Sequence, residues 1–460
     1  MVNLRLNEIA EKMDGKILQG TASLSFHKFN IDSRLTQPGE LFFALTAARN
    51  GHNYVPSAVK KGASGAVISQ KITIPKKGFA IIQVKNTLKA LQKLAQKVLS
   101  EHPVKVIGIT GSTGKTTTKE FTFHLLSQKF NALKSEGNFN NHLGIPLSLL
   151  KLTDLHEVVV LEMAMSHKGE IRTLTQIAPP DIAVLTNIKP VHLQFFKSLN
   201  EISLAKKEIL EGTKKNGTAV LNGDDLLVKK IAEGWKGRTL TFGFSKECDI
   251  RAQNIKKIGW EGTSFKLRYG KKQGKIVLPF FYEGYLYNLL AAAAVNCALS
   301  VPFEFTLSQI ASLEPLPKRG TLVCLKNNIK LIDDSYNSNP AALESVLKGL
   351  ADLPSKRKIA VLGDMLELGK REVAYHIQAG KQVVKWGWDI LITVGPLSKH
   401  MIKGALAAGK RKNQIFSFKN SREAAEEIWP LIREGDLILV KGSRGIKIEK
   451  IVKKLKLKGL

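Results

Sequence analysis

Cysteine is scarce. Cys248, Cys297 and Cys324 are the only three in 460 residues, and no two stand in C-x-x-C spacing, which excludes a disulfide framework and a sequence-local zinc site. Long apolar runs are also missing. No stretch reaches the roughly 18 residues that span a bilayer, and the opening MVNLRLNEIAEKMDG holds no apolar signal core. The expectation is a cytoplasmic protein without stable membrane insertion. Acidic residues are short as well: 39 Asp and Glu stand against 70 Lys and Arg, a formal charge of +31. That charge steers anionic partners towards the chain. No helix-turn-helix, zinc-finger or RNA-binding aromatic signature accompanies it, so nucleic acid is not expected as a partner. A nucleotide-sugar carrying carboxylates would benefit equally, and a solvated lysine-rich surface accounts for most of the excess. What is present, 43% hydrophobic and 24% charged residues, is the balance of a globular protein. The length implies two to four domains of roughly 100 to 200 residues, and three are expected.

The chemistry gathers around VKVIGITGSTGKTTT, Val104 to Thr118. Val104, Val106, Ile107 and Ile109 suit a buried strand, Gly111, Ser112, Thr113 and Gly114 a turn, and Lys115, Thr116 and Thr117 the start of a helix. Glycines let backbone N–H groups approach phosphate oxygens, and a helix N-terminus adds its positive dipole end. Lys115 offers a point charge and Thr116 a hydroxyl for Mg²⁺. The expected ligand is ATP or another nucleoside triphosphate. The strict pattern G-x-x-x-x-G-K-[ST] would place its first glycine at Ile109; here Gly108 sits one residue early.

Taken in order, residues 1–100 alternate short apolar runs with turns and read as a small α/β domain closed by a helix over Asn86 to Leu99. Its polar clusters Asp32-Ser33-Arg34 and Asn50-Gly51-His52 lie in loop contexts; Arg34 suits a phosphate, although exposed loops alone explain them. Residues 101–315 repeat strand, loop and helix, the pattern of a largely parallel sheet with helices on both faces. Apolar runs there end in Glu162 and in Thr186-Asn187, with His192 following. Because ligands bind beyond the carboxyl ends of such strands, these residues are candidates to line the phosphate loop. Asn222 to Asp225 and Asn288 are further candidates to touch a nucleoside. Residues 316–460 form a second doubly wound unit without a G-x-G-x-x-G, which argues against an independent dinucleotide site. Its dense polar loop runs from Asp333 to Pro340, with Pro340 suited to the first turn of a helix. The basic tail places Ile448, Ile451, Val452 and Leu455 on one face, as a packed terminal helix would.

Nearly the whole chain resembles the Mur ligases, ATP-dependent enzymes that add amino acids to the UDP-linked peptidoglycan precursor. Thr110 to Thr117 is similar to that family's variant of the phosphate loop, which accounts for the displaced glycine. Gly137-Asn-Phe-Asn-Asn141, Glu162 with His167-Lys-Gly-Glu170, and Asp334-Ser-Tyr-Asn-Ser-Asn-Pro340 look like the member that joins D-Ala-D-Ala to UDP-MurNAc-tripeptide. The resemblance implies a UDP-sugar domain, a P-loop ATPase-like central parallel sheet, and a C-terminal Rossmann-like α/β domain that closes over ATP.

It also implies roles. Lys115 and Thr116 match the phosphate and Mg²⁺ ligands, and Glu162 and His192 the ligands of a second Mg²⁺. Lys206 falls where the family carries a carbamylated lysine. Asn187, Asn288, Arg319 and Asp334 match the ATP site. Ser33 and Arg34 match the UDP contacts, and Asn337 and Asn339 are implied substrate contacts. A monomer acting on small molecules is expected. Departures exist: Ala164 and Met165 stand where relatives carry glycine and alanine, Gly284 and Tyr285 where they carry a His-Asn pair, and Lys207 where they carry glycine. The nearest rival readings are the preceding Mur ligase or a folylpolyglutamate synthase; a P-loop nucleic-acid ATPase is the rival from another class.

Overall fold

The computed structural model describes residues 3–46, 49–72, 78–191 and 193–459. Among the described residues there are four sheets. A five-stranded sheet near the start orders Lys16–Gln19, Ala80–Gln83, Gly65–Ile68, Leu41–Phe43 and Phe29–Asn30, parallel except for its first pair. A two-stranded ribbon of Leu4–Arg5 and Ser25–Phe26 lies beside it.

The nine-stranded sheet positions the site. Lys105–Thr110 lies between Val158–Glu162 and Ile182–Leu185, both parallel to it, with Ala132–Lys134 at the edge beyond Val158–Glu162. These strands are continuous apolar runs because helices cover both faces. One face packs against the helices Lys115–Ser127 and Glu283–Ala298. The other shares a continuous core with the helices Thr87–Ser100, Glu170–Ile177 and Leu199–Glu211 and with the first sheet. From Lys105–Thr110 the chain crosses to Ala132–Lys134 on one side and later continues at Ile182–Leu185 on the other. The strand order thus reverses beside the phosphate loop, the place where open α/β sheets bind ligands. Farther out, Ile250–Lys257, Thr263–Tyr269 and Lys272–Leu278 extend the sheet as an antiparallel meander.

The six-stranded sheet orders Thr321–Leu325, Ile329–Asp334, Asp436–Lys441, Arg357–Gly363, Ile390–Val394 and Ile415–Phe418, parallel except for its first pair. Ile448, Ile451, Val452 and Leu455 are all buried, so the lysine-rich terminal helix Glu449–Gly459 is a packed element. Trp260 Nε1 donates to the Pro354 carbonyl at 3.1 Å, and Lys257 pairs with Asp352 at 2.9 Å, tying this unit to the meander. No helix among the described residues is long and apolar enough to cross a membrane.

Candidate functional site

Three strand ends converge. Glu162 pairs in register with Ile109, Leu185 pairs with Thr110, and the Thr186 N–H donates to the Thr110 carbonyl at 3.0 Å. The loop Gly111–Gly114 is therefore flanked by Glu162 on one side and Thr186-Asn187 on the other. Two glycines are needed for this closeness. A Cβ on Gly111 would lie 1.9 Å from Thr186 Oγ1, and one on Gly114, at φ +82°, would lie 2.2 Å from Asn288 Oδ1. Asn187 is part of the loop's framework: its Oδ1 accepts from the Thr113 N–H at 3.0 Å and its Nδ2 donates to the Thr113 carbonyl at 3.1 Å. Ser112 is held by its hydroxyl, which donates to the Lys189 carbonyl at 2.9 Å. Asn288 accepts from the Thr118 hydroxyl at 3.2 Å.

Gly114 caps the helix Lys115–Ser127, whose first N–H groups lack intrahelical partners and carry the positive end of its dipole. The Lys115 ammonium donates to the Gly111 carbonyl at 2.9 Å and approaches that of Ser112 at 3.4 Å. Burial lowers its pKa, the Glu162 charge works against that shift, and Arg319 adds to it. A desolvated cation has more to gain from an arriving anion than a hydrated one. Thr116 donates its hydroxyl to Glu162 Oε2 at 2.7 Å, and the other carboxylate oxygen accepts from Asn140 Nδ2 at 2.8 Å. Thr117 is buried behind them.

Lys206 is buried on the helix Leu199–Glu211. Burial, and then the charge of Lys115, push its pKa well below the ordinary lysine value. A lysine in such surroundings holds a neutral amine far more readily than a solvated one. His192 lies outside the described residues. Among those residues, no group of three His, Cys, Asp or Glu is clustered for a metal ion.

The third unit adds Arg319 and Asp334. Arg319 stacks its guanidinium 4.0 Å from the Tyr336 ring, and its charge reaches both Lys115 and Asp334. Burial raises the Asp334 pKa against the pull of Lys441, its buried partner at 2.6 Å, and of Arg319.

Other expected residues are engaged in different contacts. Ser33 is buried beside the first sheet. Arg34 projects into solvent and makes a bidentate pair with Asp32, at 2.9 and 2.6 Å. Asn339 caps the helix Pro340–Leu350 by accepting from the Ala342 N–H at 2.9 Å, and exposed Asn337 accepts from its neighbour Ser338. Lys119 escaped the sequence reading, and Lys441 was placed at a strand end without a role; both are buried. Lys441 stood at a strand end, the signal that identified Glu162. Lys119 lies one helical turn past Lys115, where a charge ordinarily faces solvent.

Residues 109–296 match the Mur ligase middle domain and residues 318–444 the Mur ligase, glutamate ligase domain. The UDP-N-acetylmuramoyl-tripeptide–D-alanyl-D-alanine ligase of Bacillus subtilis is 32% identical over 458 residues, covering 99% of both chains. That of Escherichia coli is 33% identical over 470 residues and covers both in full. Among solved structures, MurF from Acinetobacter baumannii superposes with a TM-score of 0.90 at 27% identity, covering 99% of both chains. MurF from Thermotoga maritima in complex with ADP gives 0.83 at 30% identity, covering 94% of this chain and 97% of that one. With relatives at this identity along its full length, and a phosphate loop flanked by the strand-end residues described above, the chain belongs to the Mur ligase family.

Proposed function

We propose that the chain joins D-alanyl-D-alanine to UDP-N-acetylmuramoyl-tripeptide with cleavage of ATP to ADP and phosphate, acting as a monomer in the cytoplasm. The observation that carries this reading is full-length similarity to ligases of that name, together with the phosphate loop and Glu162 at the same strand ends. Residues 1–100 are assigned to the UDP-sugar, with Ser33 and Arg34 as contacts, residues 101–315 to ATP, and residues 316–460 to a unit that closes over it. Asn187, Asn288, Arg319 and Asp334 are assigned to the nucleotide, and Asn337 and Asn339 to the substrate side of the closing unit.

The chemical difficulty is electrostatic. A peptide carboxylate must attack the γ-phosphate of ATP, and both are anions. Lys115 and the N–H groups at the start of its helix supply positive charge where phosphate oxygens would lie, already desolvated and in position. Attack forms a C–O–P bond and releases ADP, leaving an acyl phosphate. The free amine of D-alanyl-D-alanine then attacks the acyl carbon. Phosphate departs, the nitrogen loses a proton, and an amide remains. Water would hydrolyse the acyl phosphate, so a closing third unit protects it.

The donor set fits Mg²⁺, which favours oxygen and commonly takes one or two carboxylates with substrate phosphates and water completing its shell. Thr116 would hold one ion, and Glu162, His192 and a carbamylated Lys206 a second. When bound, Mg²⁺ supplies neutralisation of charge on the phosphates. The test is phosphate release with each substrate omitted in turn: both UDP-N-acetylmuramoyl-tripeptide and D-alanyl-D-alanine should be required. Equal turnover with free lysine in place of the dipeptide would overturn the assignment.

A further inference from the structure

Lys119 is a lysine with no exposed surface, one turn into the phosphate-loop helix. Its ammonium donates to the Ser135 carbonyl at 2.7 Å and to the Gly137 carbonyl at 3.2 Å, and it lies 3.0 Å from Glu120 Oε1. Two donors are directed at backbone carbonyls, and the Glu120 carboxylate balances the charge. Glu120 is shared with Lys134. Burying a cation is unfavourable unless it is paired and fully hydrogen-bonded, and here the bonding is directed at the backbone of one loop.

That loop leads directly to the carboxylate of the site. Ser135 begins it, and its hydroxyl accepts from the Glu162 N–H at 3.2 Å. Asn140 ends it, donating its amide to Glu162 Oε1 at 2.8 Å while its own carbonyl accepts from the Ala164 N–H at 2.9 Å. Between them Gly137 turns at φ +50°. One helix therefore holds Glu162 from two directions. Thr116 contacts its carboxylate directly, and Lys119, three residues on and so on the same side of the helix, fixes the loop that presents Asn140.

The geometry points to Lys119 as a positioning residue: by clamping residues 135–140 it sets the orientation of the Glu162 carboxylate opposite Thr116. The consequence for turnover rests on the ligase reading above; the consequence for the loop does not.

The experiment compares Lys119→Met, Asn140→Ala and the double variant with wild type. Hydrogen–deuterium exchange of the backbone amides from Glu136 to Asn141, measured without substrates, should accelerate about tenfold or more in Lys119→Met. Phosphate release should slow at least tenfold in each single variant. The apparent constant for Mg²⁺ should rise while KM for D-alanyl-D-alanine stays within about twofold. Because both residues act through Glu162, the double variant should be no more than about twofold slower than the slower single one. Unchanged exchange in Lys119→Met overturns the proposal whatever the reaction proves to be. So does faster exchange with wild-type turnover and Mg²⁺ dependence, since that is the behaviour of a merely structural lysine. Multiplicative losses in the double variant also overturn it. If Lys119→Met does not fold, Asn140→Ala decides: loss of turnover with a raised Mg²⁺ constant supports the proposal, and full activity overturns it. If wild type releases no phosphate from these substrates, the ligase reading fails, and the exchange result still judges the clamp.

Discussion

Lys441 and Asp334 form a buried ion pair, Nζ to Oδ2 at 2.6 Å, between the ends of two parallel strands. Lys441 also donates to the Asn337 carbonyl at 2.9 Å, so one ammonium holds both the first residue of the Asp334–Pro340 loop and its middle. Removing one partner strands a buried charge, which typically costs about 3–5 kcal/mol. Lys441→Met should lower the unfolding free energy by about that much. Lys441→Met combined with Asp334→Leu, which removes both charges, should recover most of the loss. Denaturant titration of the three variants checks this, and a double variant no better than the single would argue that the pair is not what stabilises this region.

Lys115 lies within hydrogen-bond reach of the Gly111 and Ser112 carbonyls and, unlike Lys119 and Lys441, is only partly buried. Its replacement should therefore separate stability from chemistry. Lys115→Ala is expected to leave the melting temperature within a few degrees and to reduce kcat about 10² to 10³-fold, the usual effect of losing one electrostatic contact to developing charge. A folded variant with near-normal kcat would remove the phosphate loop from the reaction.

The parts legible in the sequence were those set by neighbours along the chain. The loop Gly111–Gly114 follows an apolar strand and opens a helix, and Glu162 ends an apolar run, so their placement follows from local pattern alone. The terminal helix was legible because Ile448, just before it, and Ile451, Val452 and Leu455 within it repeat at helical spacing. Lys119 was not, since a lysine in a helix reads as solvated until the strands beside it bring Ser135 and Gly137 within reach. Lys441 finds its partner 107 residues away. Asn339 shows the opposite difficulty: an asparagine before proline reads equally as a substrate contact or as a helix cap, and here its Oδ1 is engaged as the cap.

His376 offers a pH test outside the site. It is fully buried, accepts from the Met365 N–H at 3.0 Å through Nε2, and hydrogen-bonds the Glu372 carbonyl at 2.7 Å through Nδ1. That pattern requires the neutral ring. Burial lowers its pKa below the ordinary histidine value. The unfolded chain therefore takes up a proton near pH 6.5 that the folded chain refuses, and folded stability falls as pH drops through that range towards the lowered pKa. Each unit of lowering is worth about 1.4 kcal/mol. His376→Gln, which can accept from Met365 without titrating, should lose less stability than wild type between pH 7.5 and pH 5. Parallel stability curves for the two proteins would show that another group controls the acid limb.

Lys206 presents the sharpest contrast with a neighbour. Lys207, the next residue, is half-buried, whereas Lys206 is fully enclosed and feels the charge of Lys115. A cation there would repel a divalent ion held by Glu162; a carbamate, formed when the neutral amine adds to CO₂, would instead be an oxygen donor of opposite sign. The depressed pKa favours that chemistry, because only the unprotonated amine is nucleophilic. Lys206→Ala should therefore reduce kcat severely, by about 10² or more, the scale of losing one preorganised electrostatic contact. Small carboxylates such as acetate should restore part of the loss by filling the space with an anion. Lys207→Ala should be nearly silent. Mass spectrometry of a ¹³CO₂-trapped wild-type protein gives an independent readout through the added mass at Lys206. Full activity in Lys206→Ala, or a loss that acetate and formate leave untouched in a folded variant, would count against the carbamate and return Lys206 to the role of a buried packing residue.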